Sequence, residues 1–283
     1  MKIEFTKMQG CGNDYIYINC LDKEIANPEK LSIKMSQRHF EVGSDGIVLI
    51  CKSNIADAKM RMFNNDGSEG KMCGNAIRCI GKYLYDNRIV SKKFLSIETL
   101  SGIKYLELFT NDKNLVETVK VDMGYASFKP EDIGLTIDNE IINEAHNINN
   151  KDYDITCVSM GNPHMVIYEK NIKDLDLEKI GPVFENYKIF KNRVNTEFVE
   201  IISETELNMR VYERGSGETY ACGTGACATV SASVKNGVCK PNTEVKVNLI
   251  GGSLTILVDK NYKVFMTGPA RIVYTGVYEY DED

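Results

Sequence analysis

The chain has 283 residues, 43% of them hydrophobic and 26% charged, and a formal net charge of −6. This composition is typical of one large or two ordinary globular domains, and it excludes a disordered chain, collagen and a coiled coil. The mildly acidic balance, without a long basic run, argues against nucleic acid or an anionic membrane as a partner.

The pattern of apolar residues predicts neither a membrane-spanning helix nor a secretion signal. No segment approaches the roughly 20 apolar residues that a membrane-spanning helix needs. The first twenty residues, MKIEFTKMQGCGNDYIYINC, contain no apolar signal core, so we expect a cytoplasmic protein.

Nine cysteines are spread along the chain, an odd number, and without a secretion signal they do not predict a disulfide framework. No C-x2-C pair occurs, and the chain has only three histidines. The usual zinc spacings and a His-rich site are therefore excluded, and we predict no metal. Most of the thiols are expected to be small buried hydrophobic groups.

The sequence repeats itself once, at about half its length. Residues 60–63 resemble residues 209–212, an offset of 149 (209 minus 60). The same offset relates Gly12-Asn13 to Gly161-Asn162, Glu69 to Glu218 and Cys73-Gly74 to Cys222-Gly223. A single period of this length is too long for a solenoid and indicates two similar domains. We place the boundary in the Gly- and Pro-containing segment around 124–133, giving domains 1–125 and 126–270.

Similar elements follow one another in both halves. Short β-rich runs occur at 47–51 and 60–63, and again at 198–202 and 208–212. Helical patterns cover 75–86 and 224–236, and hairpin patterns with a central Gly cover 95–108 and 243–258. Strands and helices do not alternate regularly, which disfavours a doubly wound parallel sheet. We therefore predict an α+β fold, in which a helix in each half packs against mostly antiparallel strands.

Two cysteines stand apart from the others. Cys73 and Cys222 each follow a Gly-, Ser- and Glu-containing turn and precede a Gly and a predicted helix. A thiol at this position faces unpaired backbone N–H groups and the positive end of the helix dipole, which lower the pKa of a cysteine. The alternative is that both are buried packing residues, as is common for cysteine.

Two such thiols, one from each domain, suit the inversion of a stereocentre. If they face each other across a cleft, one removes a proton from a carbon and the other donates one to the opposite face. Repulsion between two thiolates would keep one of them protonated, so the pair would titrate as a coupled unit. The helix N-termini would also hold a substrate carboxylate.

Polar residues in turn-like settings complete the candidate site. The repeat places Asn13 opposite Asn162 and Asn64 opposite Glu213. Arg214 could hold a carboxylate bidentately, and Glu213 could accept from an ammonium group. The remaining candidates are Asn195 and His164, of which the histidine could tune a thiol.

Several segments, in this order, resemble the diaminopimelate epimerase family: KMQGCGNDY, FNNDGSEGKMCGNAIRC, GNPHMVI, RVNTEFVE, RVYERGSGETYACGTGACAT and GPARIVYTG. The resemblance implies a cofactor-independent enzyme that interconverts LL- and meso-2,6-diaminopimelate for lysine and peptidoglycan precursors. It also implies two pseudo-symmetric domains, each a mostly antiparallel barrel-like sheet around a central helix, and a homodimer. A last strand, at about 271–283, would return to the first domain.

The resemblance also assigns roles by motif. Cys73 and Cys222 become the acid–base thiols, with Cys73 the donor and Cys222 the acceptor in the LL-to-meso direction. His164 and Glu213 would tune the ionisation of the thiols. The implied substrate contacts are Asn13, Asn64, Asn162, Asn195, Glu213 and Arg214, with Gly74, Asn75, Gly223 and Thr224 as donors around the reacting carboxylate. Gly46 stands where some members have a Gln that touches substrate.

Three other functions remain open from the residues. A proline or hydroxyproline racemase would share the thiol pair but would lack the Asn, Glu and Arg side chains that receive a second charged end. A non-catalytic protein could bind a small zwitterion between the domains. A redox sensor would use a reversible Cys73–Cys222 disulfide as its regulated state.

Overall fold

The computed structural model describes residues 1–280, so positions 281–283 of the predicted last strand lie outside the described residues. The chain divides into two compact units. The first comprises Met1–Asp122 and the described chain from Gly268 onward, and the second is Met123–Thr267. Each unit combines a sheet with a few helices. No helix within the described residues is long and apolar enough to cross a membrane.

The first unit is built mainly from strands. They are β1 (Lys2–Gly10), β2 (Asn13–Cys20), β3 (Gly46–Cys51), β4 (Ala58–Asn64), β5 (Glu69–Gly70), β6 (Phe94–Thr99), β7 (Gly102–Thr110), β8 (Val116–Tyr125), which reaches the unit boundary, and β18 (Arg271–Glu279). Its helices are α1 (Pro28–Met35) and α2 (Gly74–Asp86).

The second unit contains the same kinds of elements. Its strands are β9 (Glu144–Ile148), β10 (Lys151–Ser159), β11 (Pro163–Tyr168), β12 (Asn195–Ser203), β13 (Glu206–Glu213), β14 (Gly217–Thr219), β15 (Glu244–Leu249), β16 (Gly252–Val258) and β17 (Lys263–Pro269), which runs to the boundary. Its helices are α3 (Pro130–Ile133), α4 (Leu177–Glu185) and α5 (Gly223–Lys235), with a short 3-10 turn at Ile172–Asp174.

The strands of the two units pair in the same way. In the first, β1 lies antiparallel between β18 and β2, β2 runs parallel to β3, and β3 is antiparallel to β4. Next, β4 runs parallel to β6, which begins an antiparallel series with β7 and β8. The second unit repeats this order with the same directions. There β10 lies antiparallel between β9 and β11, β11 runs parallel to β12, and β12 is antiparallel to β13. Next, β13 runs parallel to β15, which begins an antiparallel series with β16 and β17. The predicted α+β class with mostly antiparallel strands is confirmed.

The internal repeat extends to single residues. Ile16 pairs with Ile47 in the first unit, and the residues 149 further on, Met165 and Thr196, pair in the second. Arg61 bonds Glu69 at 2.8 Å, and the equivalent Arg210 bonds Glu218 at 2.7 Å. Each pair ties β4 or β13 to the short strand that precedes the candidate cysteine, so both turns are fastened alike.

One buried helix lies against the sheet of each unit. Helix α2 contacts β1, β2, β7 and β18, and α5 contacts β10 to β13 and β16. The small side chains of α5, including Ala226, Ala228 and Ala232, are fully buried and allow close approach on several sides. The observed helices agree with the predicted 75–86 and 224–236 to within one residue.

The two faces of the first sheet pack against different helices, one against α1 and the other against α2. Ile16, Ile18 and Cys20 alternate along β2 and join the apolar cluster that includes Leu31 and Met35 of α1. Tyr17 lies on the other face, because successive side chains of a strand point in opposite directions. Its hydroxyl donates to the Ala76 carbonyl of α2 at 3.2 Å. The α2 face is therefore the one that carries the candidate site.

Candidate active site

Cys73 and Cys222 are the N-cap residues of the two buried helices. Both have extended backbone conformations, with φ/ψ of −132°/124° and −118°/111°. The first helical bonds run from Ile77 N to Cys73 O and from Ala226 N to Cys222 O, each at 3.0 Å. The backbone N–H groups of the first helical turn, which precede Ile77 and Ala226, have no helical carbonyl to which they can donate. The predicted placement of both thiols at helix N-termini is confirmed.

Cys73 contacts one of the predicted asparagines. Its thiol donates to Asn13 Oδ1 at 3.4 Å. Asn13 Nδ2 in turn donates to Asp45 Oδ2 at 2.8 Å, and that carboxylate also accepts from Asp14 N at 3.1 Å. Asp45 therefore fixes which way the Asn13 amide points. Burial raises the pKa of Asp45, against the opposing effect of these N–H donors.

A buried arginine organises the helix behind Cys73. Arg78 is fully buried, and its guanidinium donates to Asn75 Oδ1 at 2.8 Å, to Gly74 O at 2.9 Å and to Pro269 O at 3.1 Å. The Asn75 side chain is thereby turned into the protein. The donor that Asn75 presents at the start of the helix is therefore its backbone N–H, next to that of Gly74.

Asn64 and Gly46 are neighbours in the first unit. Asn64 ends β4, and its register partner is Gly46, the first residue of β3. Gly46 has φ +154°, and a Cβ there would lie 2.0 Å from the Phe63 carbonyl oxygen. This backbone accepts only glycine. Position 46 therefore cannot carry a side chain in this fold.

Cys222 lies among buried polar groups of the second unit. Its sulfur accepts from Gly225 N at 3.3 Å and lies 3.5 Å from Thr224 Oγ1. Burial raises the pKa of Cys222 well above its usual value, and the Glu213 and Glu197 carboxylates raise it further against the Gly225 N–H. The predicted lowering of this pKa is wrong, because burial and two carboxylates outweigh the helix terminus. Cys222 is therefore a thiol at neutral pH.

Glu213 is hydrogen-bonded to the Cys222 thiol. It accepts from the Thr219 hydroxyl, and burial raises its pKa, while its hydrogen bonds with Thr219 and Cys222 oppose the rise. A carboxylate that is hydrogen-bonded to a thiol and protonates more readily than usual can take up the proton of that thiol. Glu213 therefore has the contact with Cys222 that a thiol-tuning role requires, and the role itself stays a prediction.

His164 reaches Cys222 through a chain of polar groups. Its Nδ1 lies 2.7 Å from Glu197 Oε1, and both side chains are fully buried. Its Nε2 lies 3.1 Å from Asn162 Oδ1, and Asn162 Nδ2 donates to Thr224 Oγ1 at 3.4 Å. The Thr224 hydroxyl then lies beside the Cys222 sulfur. His164 and Asn162 thus orient the groups around the thiol.

Asn195 and Arg214 occupy the same end of the second unit. Asn195 Nδ2 donates to Pro163 O at 2.8 Å, and its Oδ1 accepts from Arg214 N at 3.0 Å. The amide therefore ties the start of β11 to the turn after β13. The Arg214 guanidinium donates to Asn192 O at 3.2 Å. Asn195 is 4% exposed, so its clearest contribution is to position the turn that carries Arg214.

Sequence reasoning missed three groups that hold the site together: Asp45, Arg78 and Glu197. Arg78 interrupts the apolar run from Ile77 to Ile80 in α2, and Glu197 directly precedes the apolar Phe198 and Val199 in β12, which was the available signal. Gly225 leaves room for the Glu197 side chain, because a Cβ at Gly225 would lie 2.8 Å from Glu197 Oε1.

Among the described residues, no group of three or more His, Cys, Asp or Glu side chains could hold a metal ion.

Solved structures show that the fold is shared with racemases and related proteins. A PhzF-family phenazine biosynthesis protein from Bacillus anthracis matches 99% of this chain and 100% of its own with a TM-score of 0.71 and 16% identity. A probable proline racemase from Agrobacterium radiobacter K84 matches 99% of this chain and 93% of its own with a TM-score of 0.73 and 13% identity. At these identities the likeness defines the fold class.

Sequence comparisons identify the family within that class. The family model described as diaminopimelate epimerase matches residues 5–129 and 156–273. A diaminopimelate epimerase from Acetivibrio thermocellus is 53% identical over 99% of this chain and 100% of its own length. One from Methanococcus maripaludis is 50% identical over 97% of this chain and 99% of its own length. The chain belongs to the diaminopimelate epimerase family, which confirms the predicted resemblance.

Proposed function

We propose that this protein interconverts LL- and meso-2,6-diaminopimelate without a cofactor, in the synthesis of lysine and peptidoglycan precursors. The observation that carries the proposal is the equivalent position of Cys73 and Cys222, each the N-cap of the buried helix in its own repeat. Family membership supports the substrate, since relatives about half identical to this chain carry the name diaminopimelate epimerase.

The reaction needs one thiolate and one thiol. The thiolate removes the proton from the α-carbon and becomes a thiol, and the other thiol gives its proton to the opposite face and becomes a thiolate. The carbanion formed between these steps places charge on the substrate carboxylate. Backbone N–H groups at the N-termini of α2 and α5, at Gly74 and Asn75 and at Gly223 and Thr224, would stabilise that charge.

The two thiols must be in different states when the reaction begins. Cys222 carries a proton, because burial and the two nearby carboxylates raise its pKa. It is therefore the donor in this state, and Cys73 would act as the base after losing the proton that it donates to Asn13 in this structure. By the roles that the family resemblance implies, this state processes meso substrate toward LL. In the opposite direction Glu213, which bonds Cys222, would accept the proton of that thiol.

The remaining polar residues would recognise the distal end of the substrate. That end carries a second ammonium and a second carboxylate, so it requires acceptors and donors together. Asn64 at the end of β4 and the Glu213–Arg214 pair at the end of β13 supply these types of group. Asn13, Asn162 and Asn195 would contribute through the networks that position the thiols and the turn after β13.

The partner and the location are also part of the proposal. We propose a homodimer, on the basis of the family resemblance and of β18, where Ile272, Val273, Tyr274 and Val277 are 42 to 59% exposed. Light scattering should give twice the mass of one chain, and a monomer at working concentration would contradict this. A cytoplasmic location agrees with an odd number of cysteines, nine, which suits a reducing compartment.

Substrate specificity tests the proposal directly. Purified protein is incubated separately with LL-diaminopimelate, L-proline and trans-4-hydroxy-L-proline, and the stereoisomers are separated by chiral chromatography. We expect meso-diaminopimelate from the first and no change in the other two. Racemisation of proline, with LL-diaminopimelate left unchanged, would overturn the substrate assignment.

A further inference from the structure

A second pair of cysteines lies apart from the proposed active site. Cys20 and Cys51 end the neighbouring parallel strands β2 and β3 and are register partners. Asn13 and Gly46, on the site side, begin the same two strands. Because a strand rises about 3.3 Å per residue, the pair lies about 20 Å along the strands from that end.

The two thiols are in direct contact. Register partners in a parallel pair point to the same face, with strands about 4.8 Å apart, and the Cys20 thiol bonds the Cys51 sulfur. Disulfides form between residues whose Cα atoms are roughly 4.4 to 6.8 Å apart. The spacing of the strands therefore brings the two residues within bonding range without a change of register.

The two thiols differ in their access to solvent. Cys20 is 3% exposed and belongs to the apolar cluster under α1. Cys51 is only partly buried and packs at the edge of the same cluster. A reagent from solvent would therefore meet Cys51 first, with Cys20 directly behind it.

The hydrogen bond within the pair and, to a smaller extent, the nearby charges favour a Cys51 thiolate. Donation from the Cys20 thiol lowers the pKa of Cys51 most, and burial opposes this. Arg61 and Lys59, on the adjacent strand β4, lower the pKa further, while Glu24 raises it. The bond to Cys51 raises the pKa of Cys20, so Cys20 keeps its proton. One ionisable thiol and one protonated thiol are thus held in contact.

We propose that Cys20 and Cys51 form a peroxide-reactive dithiol, a modification site separate from Cys73 and Cys222, in which Cys51 attacks and Cys20 resolves. This role goes beyond the epimerase reaction and does not depend on it. Contact, register and unequal exposure are what distinguish this pair from the other buried thiols. Cys157 and Cys239, for example, have no such partner described, and burial raises the pKa of Cys239 to about 11.

The chemistry balances with a hydroperoxide as the oxidant. The Cys51 thiolate attacks the peroxide O–O bond, forming a sulfenic acid while the other oxygen leaves and is protonated to an alcohol or to water. The Cys20 sulfur then displaces hydroxide from the Cys51 sulfur, forming the S–S bond, and the proton of Cys20 leaves with the hydroxide as water. Two thiols are oxidised by two electrons, and the peroxide is reduced.

The test maps the sites of oxidation in the whole protein. Wild-type protein is treated with a slight excess of cumene hydroperoxide, alkylated and digested, and its peptides are analysed by mass spectrometry. We expect an intramolecular link between the Cys20 and Cys51 peptides that disappears on reduction. In a Cys73→Ser/Cys222→Ser protein the same treatment should lower the thiol titre by about two per chain, which makes the result independent of catalysis.

Single substitutions separate attack from resolution. Cys20→Ser should leave Cys51 as a sulfenic acid that dimedone traps, whereas Cys51→Ser should leave Cys20 unoxidised, and Cys239→Ala should change neither result. Absence of the Cys20–Cys51 link in wild-type protein, while Cys51 is oxidised no faster than Cys239, would overturn the proposal. So would a stable Cys51 sulfenic acid with Cys20 present, or a link only between chains.

Discussion

The two candidate catalytic cysteines share a backbone position but not an electrostatic environment. Both cap a helix, where N–H groups favour a thiolate. Around Cys222 this effect is outweighed by burial and by Glu213 and Glu197, and the thiol keeps its proton. Cys73 instead donates to the neutral amide of Asn13. Unequal surroundings are what a pair needs if one member is to give a proton while the other takes one.

Removing the Glu197 charge should make Cys222 easier to ionise. Glu197→Gln keeps the shape of the side chain that bonds His164, but it deletes one of the carboxylates that raise the pKa of Cys222. The pKa of Cys222 then falls and more thiolate is present at a given pH. In a Cys73→Ser background, iodoacetamide should alkylate Cys222 about three- to tenfold faster at mildly alkaline pH. An unchanged pH profile of alkylation would contradict the assigned role of Glu197.

Replacing either thiol should stop proton transfer without unfolding the protein. We expect Cys73→Ser and Cys222→Ser each to lower turnover of LL-diaminopimelate by about a hundredfold or more, since a serine hydroxyl is a far weaker acid and base. Cys239→Ala, which changes a buried thiol elsewhere, is the matched control and should keep turnover within about twofold. If Cys73→Ser retained nearly full turnover and its circular dichroism were native, the two-thiol account would fail.

At the scale of elements, the sequence predicts the local structure and misses the long-range contacts. Helices α2 and α5 and the β6–β7 and β15–β16 hairpins follow from periodicity and from Gly-containing turns, which are local signals. Asp45 comes close to Asn13 only because β2 pairs with β3. Arg78 is held in place by the Pro269 carbonyl, which is distant in sequence but lies beside α2. Register between distant strands is set by the packed fold, so no local pattern reveals these contacts.

The start of β3 gives a test of backbone geometry. Gly46→Ala places a Cβ against the Phe63 carbonyl at a φ of +154°, and a backbone oxygen cannot move aside easily. We expect a loss of about 4 kcal/mol or more in the free energy of unfolding, measured by urea titration. Gly102→Ala has a φ of +92° but open space around the Cβ, so strain alone should cost about 1–2 kcal/mol. Equal losses for the two variants would show that the close approach to Phe63 is unimportant.

At the scale of the molecule, the repeat carries most of the functional information. An offset of 149 residues relates matching strand registers, matching Arg–Glu pairs and the two helix-capping thiols. This duplication could be predicted from sequence, because it preserves residue types at fixed spacing. The difference between the halves could not, since it depends on buried groups such as Glu197, which has an apolar strand residue, Val48, at the equivalent place.

Deuterium exchange tests most directly whether one thiol removes the α-proton and a second thiol donates the new one. LL-Diaminopimelate is incubated with the protein in deuterated water, and both isomers are analysed by mass spectrometry at early times. With one base on each face, newly formed meso isomer should carry one solvent deuterium at its inverted α-carbon while the remaining LL isomer is still unlabelled. Meso product that retains its original hydrogen, or equal early labelling of both isomers, would contradict two-thiol catalysis by Cys73 and Cys222.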